Sequence, residues 1–186
     1  MGLWNLYQLA NTLYLLIGEA EGLEHILKSY NEKAQAQYLE MMRSKLGLYF
    51  DDKRDIELIN SLEETLQLTE TDMTIFFRNL SDFSIEDPLK GIGIVKDAFY
   101  VPNEISDAIT KKWNSWFERY AERLQKEETA SKERKEKMNQ INPKYVLRNY
   151  MAQLAIDDAD KGNYKLIDEL FNLLKKPYDE QPEYEK

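Results

Sequence analysis

No cysteine occurs among the 186 residues, which excludes disulfides, thiolate nucleophiles and cysteine-bound metals and fits a reducing compartment. Histidine is nearly as scarce. His25 is the only one, so a histidine-based triad, a multi-histidine metal site and an HExxH arrangement are excluded too. Its place between Leu23 and Ile26 suits a structural or surface role. The longest apolar run, Leu13 to Ile17, falls far short of the ~20 residues of a membrane span, and no basic segment leads into an apolar one as in a secretory signal. These absences point to a soluble, cytoplasmic chain. Glycine and proline number only seven and five, and they fall between periodic segments rather than inside them.

Hydrophobic residues at 42% and aromatics at 12% are enough for a folded protein with a real core; a chain of this size buries roughly 70% of its unfolded surface. The charged fraction of 32% exceeds the usual ~25%, so much of each element must face water. A net charge of −9 disfavours general nucleic-acid binding. The charge is uneven, however: from Lys111 to Arg148 there are eleven Lys/Arg against six Asp/Glu. A helix pair with solvated, mixed-charge faces accounts for that excess better than a polyanion site does.

Apolar residues recur at three and four spacing almost throughout, and alternating strand patterns are rare, so the chain is expected to be all-α. The pattern predicts helices over about Leu3 to Ile17, Leu23 to Leu46 (stopped by Gly47), Asp55 to Leu66 with Ile56, Ile59, Leu62 and Leu66 on one face, and Met73 to Leu80 capped by Thr69 or Thr71. Ser81 to Pro102 is the least regular stretch. Asn103 is expected to open a long helix carrying Trp113, Trp116, Phe117 and Tyr120. Residues 126–141 read as a charged linker or exposed helix. NPKYVLRNYMAQLAIDDADKGNY, Asn142 to Tyr164, then reads as one helix: Asn142 can cap it, Pro143 suits its first position and Gly162 its left-handed stop. Tyr164 to Lys175 is expected to form a last helix, ended by Pro177, and 177–186 an extended tail. No period of 20 to 50 residues repeats, so a single helical domain over 1–186 is expected rather than a solenoid.

Several patterns imitate functional motifs. Asp157, Asp158 and Asp160 before Gly162 suggest a calcium loop, but Ala159 and Lys161 occupy ligand positions. Gly91-Ile92-Gly93 is half of a dinucleotide fingerprint, with Lys96 where the third glycine belongs. Asp82-Phe83-Ser84 imitates a kinase metal motif without any preceding H-R-D loop. Trp113 and Trp116, three apart on an aromatic helix, are assigned to the core in preference to a docking surface.

Two clusters remain as candidate sites: Trp4 and Asn5 at the start of the first helix, and Lys144, Tyr145, Arg148 and Asn149 on one expected helical turn. Polar groups of this kind usually fasten an element to a neighbouring backbone or to another domain, and less often contact a ligand directly. Arg148 in particular is expected to be buried and bonded to a carboxylate or to carbonyls.

Four stretches together resemble one family. GLWNLYQLANTL, YLEMMRSKLGL, NPKYVLRNYMAQLAI and PYDEQPEY look like the C-terminal part of the selenoprotein O family of kinase-like protein adenylyltransferases, in the family's order. NPKYVLRN is the most specific. The resemblance implies an irregular multi-helix domain like the helical C-terminal portion of a kinase-like fold, belonging to a longer protein. The implied parent binds ATP with magnesium and transfers AMP to hydroxyl side chains of other proteins. The family's nucleotide-binding, metal-binding and catalytic residues all precede the segment that GLWNL resembles. None is carried over, so the expectation is no catalytic, cofactor-binding or metal residue in this chain. Its implied partners are a missing N-terminal catalytic lobe, which it would buttress, and the parent's protein substrates, with no nucleic acid and no membrane. The alternative is a free-standing helical protein-interaction module. A fragment should expose an apolar patch, expected around Trp4 and Tyr7 or around Trp113 and Trp116.

Overall fold

The computed structural model describes residues 2–184, and these form an all-α protein. The α-helices are α1 (Gly2–Ile17), α2 (Glu21–Leu46), α3 (Asp55–Leu66), α4 (Met73–Leu80), the short α5 (Gly91–Ile94), α6 (Asp107–Leu124), α7 (Ser131–Ile141), α8 (Asn149–Ala159) and α9 (Lys165–Leu174). Short 3-10 turns join several of them, and Thr71 and Phe99 make an isolated β-bridge. The expectation of one domain over 1–186 meets a chain that divides into two compact units, residues 1–42 and 43–186, with the division inside α2.

In the first unit α1 runs to Gly18, whose φ of 79° ends the helix in the left-handed region. Leu3, Leu6 and Ala10 are its half-buried positions, at helical spacing, and Leu27 and Met42 are buried in the part of α2 that belongs to this unit. No residue of α1 is buried.

The second unit is built around α6. Trp113, Trp116, Phe117 and Tyr120 lie on its inner face, fully buried, so both tryptophans belong to the core and not to an exposed patch. Phe76 of α4 meets Trp113 at 5.4 Å between ring centroids, Phe83 stacks on Phe117 at 5.5 Å, and Trp116 stacks on Tyr120 at 5.0 Å. Each ring removes on the order of 150–250 Å² from water, which makes this cluster the main apolar contribution to the unit. Two of the three polar tips are satisfied: Trp116 Nε1 donates to Leu58 O at 3.1 Å and Tyr120 Oη to Leu46 O at 2.6 Å, while the buried Trp113 Nε1 has no partner among the described residues. Gly91 belongs to this packing, since a Cβ there would collide with the Phe117 ring.

Three local expectations are corrected and a fourth is narrowed. α4 is capped by Asp72, whose Oδ1 accepts from Thr74 N and Ile75 N at 3.0 Å, while Thr69 and Thr71 bond to one another. α6 starts later than Asn103, because residues 102–104 form a 3-10 turn and Ser106, extended at ψ 165°, supplies the cap to Ile109 N. Ile56 faces outward; Leu58, Ile59 and Leu62 form the buried stripe of α3. Residues 126–141, expected as a charged linker or an exposed helix, contain the helix α7, in which only Arg134 and Met138 are buried. Arg134 and Met138, one turn apart, point inward, and Arg134 donates to Phe83 O.

Candidate functional site

The helix expected to begin at Asn142 begins at Asn149 instead. Asn142 is the last cap of α7, with φ −100° and ψ 106°, the extended conformation that a following proline favours. Its buried side chain is held at both ends: Nδ2 donates to Lys45 O at 2.9 Å and Oδ1 accepts from Lys45 Nζ at 3.2 Å. Residues 143–147 stay out of helix because Lys144 N and Tyr145 N both donate to Pro177 O, at 2.8 and 3.1 Å. Of the four residues expected on one turn, Lys144, Tyr145 and Arg148 are therefore spread along an extended connection and Asn149 opens α8.

Three of them reach across the fold. Lys144 pairs with Glu180. The Tyr145 hydroxyl accepts from Gln181 N at 3.2 Å and donates to Gln181 O at 3.3 Å. Arg148, the residue preceding α8, pairs with Asp72 Oδ2 at 2.6 Å. Its side chain is 35% exposed, so the expectation of burial is corrected, while its pairing with a carboxylate is observed. Asn149 is exposed at the start of α8. Trp4 and Asn5 lie on α1 in the other unit, both exposed.

Periodicity did not reveal the residues that receive these groups. Arg78 is the centre of one set. Its Nη1 donates to Asn139 O and Asn142 O at 3.0 Å and to Tyr178 O at 3.2 Å, and its Nη2 meets Glu180 Oε1 at 2.6 Å. Hydrogen bonds from Lys144 and Arg78 hold the Glu180 carboxyl below its ordinary range. Gln181, itself buried, donates to Leu173 O and Lys176 O. The tail expected to be extended over 177–186 is thus tied to Arg78 of α4, to the connection before α8 and to the end of α9, and residues 182–184 form a 3-10 turn; residues 185–186 lie outside the described part. Asp72 is the second centre. Burial pushes its carboxyl up, but hydrogen bonds from Ile75 N, Arg148 and Tyr100 outweigh that and leave it below its ordinary value. Arg78 could have been suspected, since it sits one residue after the buried Phe77 on α4; nothing local pointed to its partners.

A cleft of about 120 Å³ between α3 and α6 is lined by Arg54, Arg119, Arg123, Lys126, Glu57 and Glu122, among others. Its cations are largely engaged. Arg123 bonds to Asp55, Glu127 and Phe50 O, and Asp52 takes both Arg54 and Lys126. With these partners included, four cations face five carboxylates, which does not fit a triphosphate. Among the described residues no group of three or more His, Asp or Glu could hold a metal ion. Gly91-Ile92-Gly93 forms the short helix α5 under Phe117.

A family model described as protein adenylyltransferase SelO matches residues 1–175. The chain belongs to the SelO family. Among curated SelO-family relatives, the protein nucleotidyltransferase YdiU of Flavobacterium johnsoniae is 56% identical over 184 residues, covering 98% of this chain and 35% of that protein. The protein of the same name from Rhodopirellula baltica is 41% identical, with 98% of this chain and 36% of the relative covered. That of Aromatoleum aromaticum is likewise 41% identical, with 98% and 34%. The chain spans about a third of the length of these relatives, so most of a family-length protein lies outside it. Among the described residues no helix is long and apolar enough to cross a membrane.

Proposed function

We propose that this chain is the helical C-terminal domain of a SelO-family protein adenylyltransferase and that it buttresses the catalytic lobe rather than performing the chemistry. The observation that carries this reading is the extent of the match: 98% of the chain aligns at 56% identity with only 35% of a relative named as a protein nucleotidyltransferase. The catalytic groups then belong to the other two thirds. In the whole protein, ATP with magnesium would supply the AMP that is transferred to Ser, Thr or Tyr hydroxyls of protein substrates, and both would be bound outside this chain. Fastening is the role of the polar clusters here. Lys144, Tyr145 and Arg148 tie the connection before α8 to the tail and to the start of α4, which supports a stiff support element over a ligand site.

Incubation with labelled ATP and magnesium tests this reading. The family-length Flavobacterium johnsoniae relative is expected to transfer label to itself or to a protein acceptor. This chain alone is expected to match a heat-killed control. Transfer by the chain alone overturns the proposal.

A further inference from the structure

α1 is a sixteen-residue helix with no charged residue and no buried residue. Leu15 and Leu16 are 82% and 83% exposed and Trp4 is 63% exposed; at about 100° per residue Trp4 and Leu15 share one side of the helix and Leu16 lies about 100° further round. Leu3, Leu6 and Ala10 already occupy the half-covered side. Asn5, Gln8, Asn11 and Thr12 fall on about one third of the circumference, and the apolar remainder, with Leu9, Leu16 and Ile17 exposed on it, is wider than the half-covered side, as in a helix with more of its surface enclosed by protein than a surface helix has. The relatives extend about two thirds of their length beyond the matched part.

We infer that α1 is a docking helix seated in an apolar, uncharged groove on the part of the SelO-family protein that this chain does not contain. The inference rests on the domain reading above and adds to it the element that joins the domain to the lobe. Charge separates this occupant from a membrane. Helices that lie on lipid surfaces carry Lys or Arg on a polar face, and α1 offers only Asn5, Gln8, Asn11 and Thr12 as polar side chains. The same lack of charge predicts a groove without ionic partners, since an unpaired charge there would be left buried.

Hydrogen–deuterium exchange of the α1 amides, in this chain alone and in the family-length Flavobacterium johnsoniae protein, tests the inference. Exchange in the family-length protein is expected to be slower by about 100-fold or more, as for a segment that opens only with the core. The double variant Leu15→Glu/Leu16→Glu is expected to leave the unfolding midpoint of the isolated chain unchanged. At the aligned positions of the family-length protein it is expected to lower the midpoint and restore fast exchange. Equal exchange in the two proteins overturns the inference. So does concentration-dependent protection in the chain alone with dimers in sedimentation, which makes a second copy the occupant, and so does protection on adding vesicles of phosphatidylcholine alone or mixed with anionic phosphatidylglycerol. If labelled AMP is transferred by the chain alone, the domain reading falls whatever α1 does. If only the exchange result fails, the domain reading stands and the docking helix does not.

Discussion

The guanidinium of Arg123 donates from Nε to Asp55 Oδ1 at 2.6 Å, 68 residues away in sequence, with both side chains buried. Glu127, Phe50 O and the Phe50 ring, 4.3 Å below the guanidinium carbon, complete its surroundings. Arg123→Ala leaves the buried Asp55 with Arg43, at 3.9 Å, as its remaining cation, so it should cost about 3 kcal/mol. Arg123→Lys should recover little, because one ammonium cannot meet Asp55, Glu127 and Phe50 O in the same fork geometry. Urea unfolding of both variants measures the difference. A loss near that of a surface ion pair would mean that the network is dispensable.

Asp72 carries three tasks at once: it caps α4, pairs with Arg148 and accepts from Tyr100 Oη at 3.0 Å. Asp72→Ala should therefore cost about 2 kcal/mol. Arg148→Ala, which removes one half-exposed partner, should cost about 1 kcal/mol or less. Equal losses in urea would place the stability in the ion pair alone.

Acid should expose the same residue. The folded-state carboxyl of Asp72 lies below its ordinary value of 3.8, so its contribution is fully present above that value and is lost as pH falls through the folded one. Stability of the wild type should drop as the pH is lowered past 3.8, and Asp72→Asn should drop less steeply. Urea midpoints taken through this window read the difference in slope. Parallel curves for the two proteins would remove Asp72 from the acid response.

Arg78 and Glu180 are paired at 2.6 Å yet unequal, because Arg78 is buried and Glu180 is largely exposed. Arg78→Ala strips a donor from Asn139 O, Asn142 O and Tyr178 O together and should cost about 3 kcal/mol. Glu180→Ala leaves those three bonds in place and should cost less than about 1 kcal/mol. Thermal or urea unfolding compares them, and proteolysis of the tail should accelerate only in the Arg78 variant. Equal effects would show that the carboxylate, not the carbonyls, holds the tail.

Tyr120 gives an alkaline counterpart. Burial raises its hydroxyl from 10.0 to about 12, so between these values the unfolded chain ionises first and stability falls with rising pH. Tyr120→Phe should lack that component, which amounts to a slope difference of about 1.4 kcal/mol per pH unit. At neutral pH the same variant leaves Leu46 O without its donor and should cost about 1–2 kcal/mol. Identical slopes in urea titrations at alkaline pH would mean that the hydroxyl is reached by water.

Local pattern was sufficient for most of the helices, though not for the starts of α6 and α8. The bounds of α3, the stops at Gly18, Gly47 and Gly162 with their positive φ, and the inward face of α6 with Trp113 and Trp116 all follow from spacing a few residues long. Turn chemistry and apolar periodicity act over a single helical turn, so a linear reading captures them. Membership of the SelO family was legible for a related reason: runs such as NPKYVLRN are contiguous. Where two local signals competed, the reading failed. Asn142 and Pro143 look like the start of a helix, but the side chain of Asn142 finds Lys45, 97 residues earlier, and the backbone after it finds Pro177. That choice depends on which carbonyls the fold brings within reach.

The pairings of the charged residues were decided by the fold alone. On a helical wheel Arg78, Arg123 and Arg134 are three more cations in a chain rich in charge, no different from Lys111 or Lys132. Packing the aromatic face of α6 carries Arg123 under the Phe50 loop, and docking α7 turns Arg134 toward Phe83 O. Burial then makes a partner obligatory, because an unpaired guanidinium in the interior costs several kcal/mol. Exposure follows the same logic in reverse. The apolar pattern of α1 announces a helix that requires cover, but its periodicity is silent on where the cover lies; only the three-dimensional packing leaves Leu15 and Leu16 facing outward.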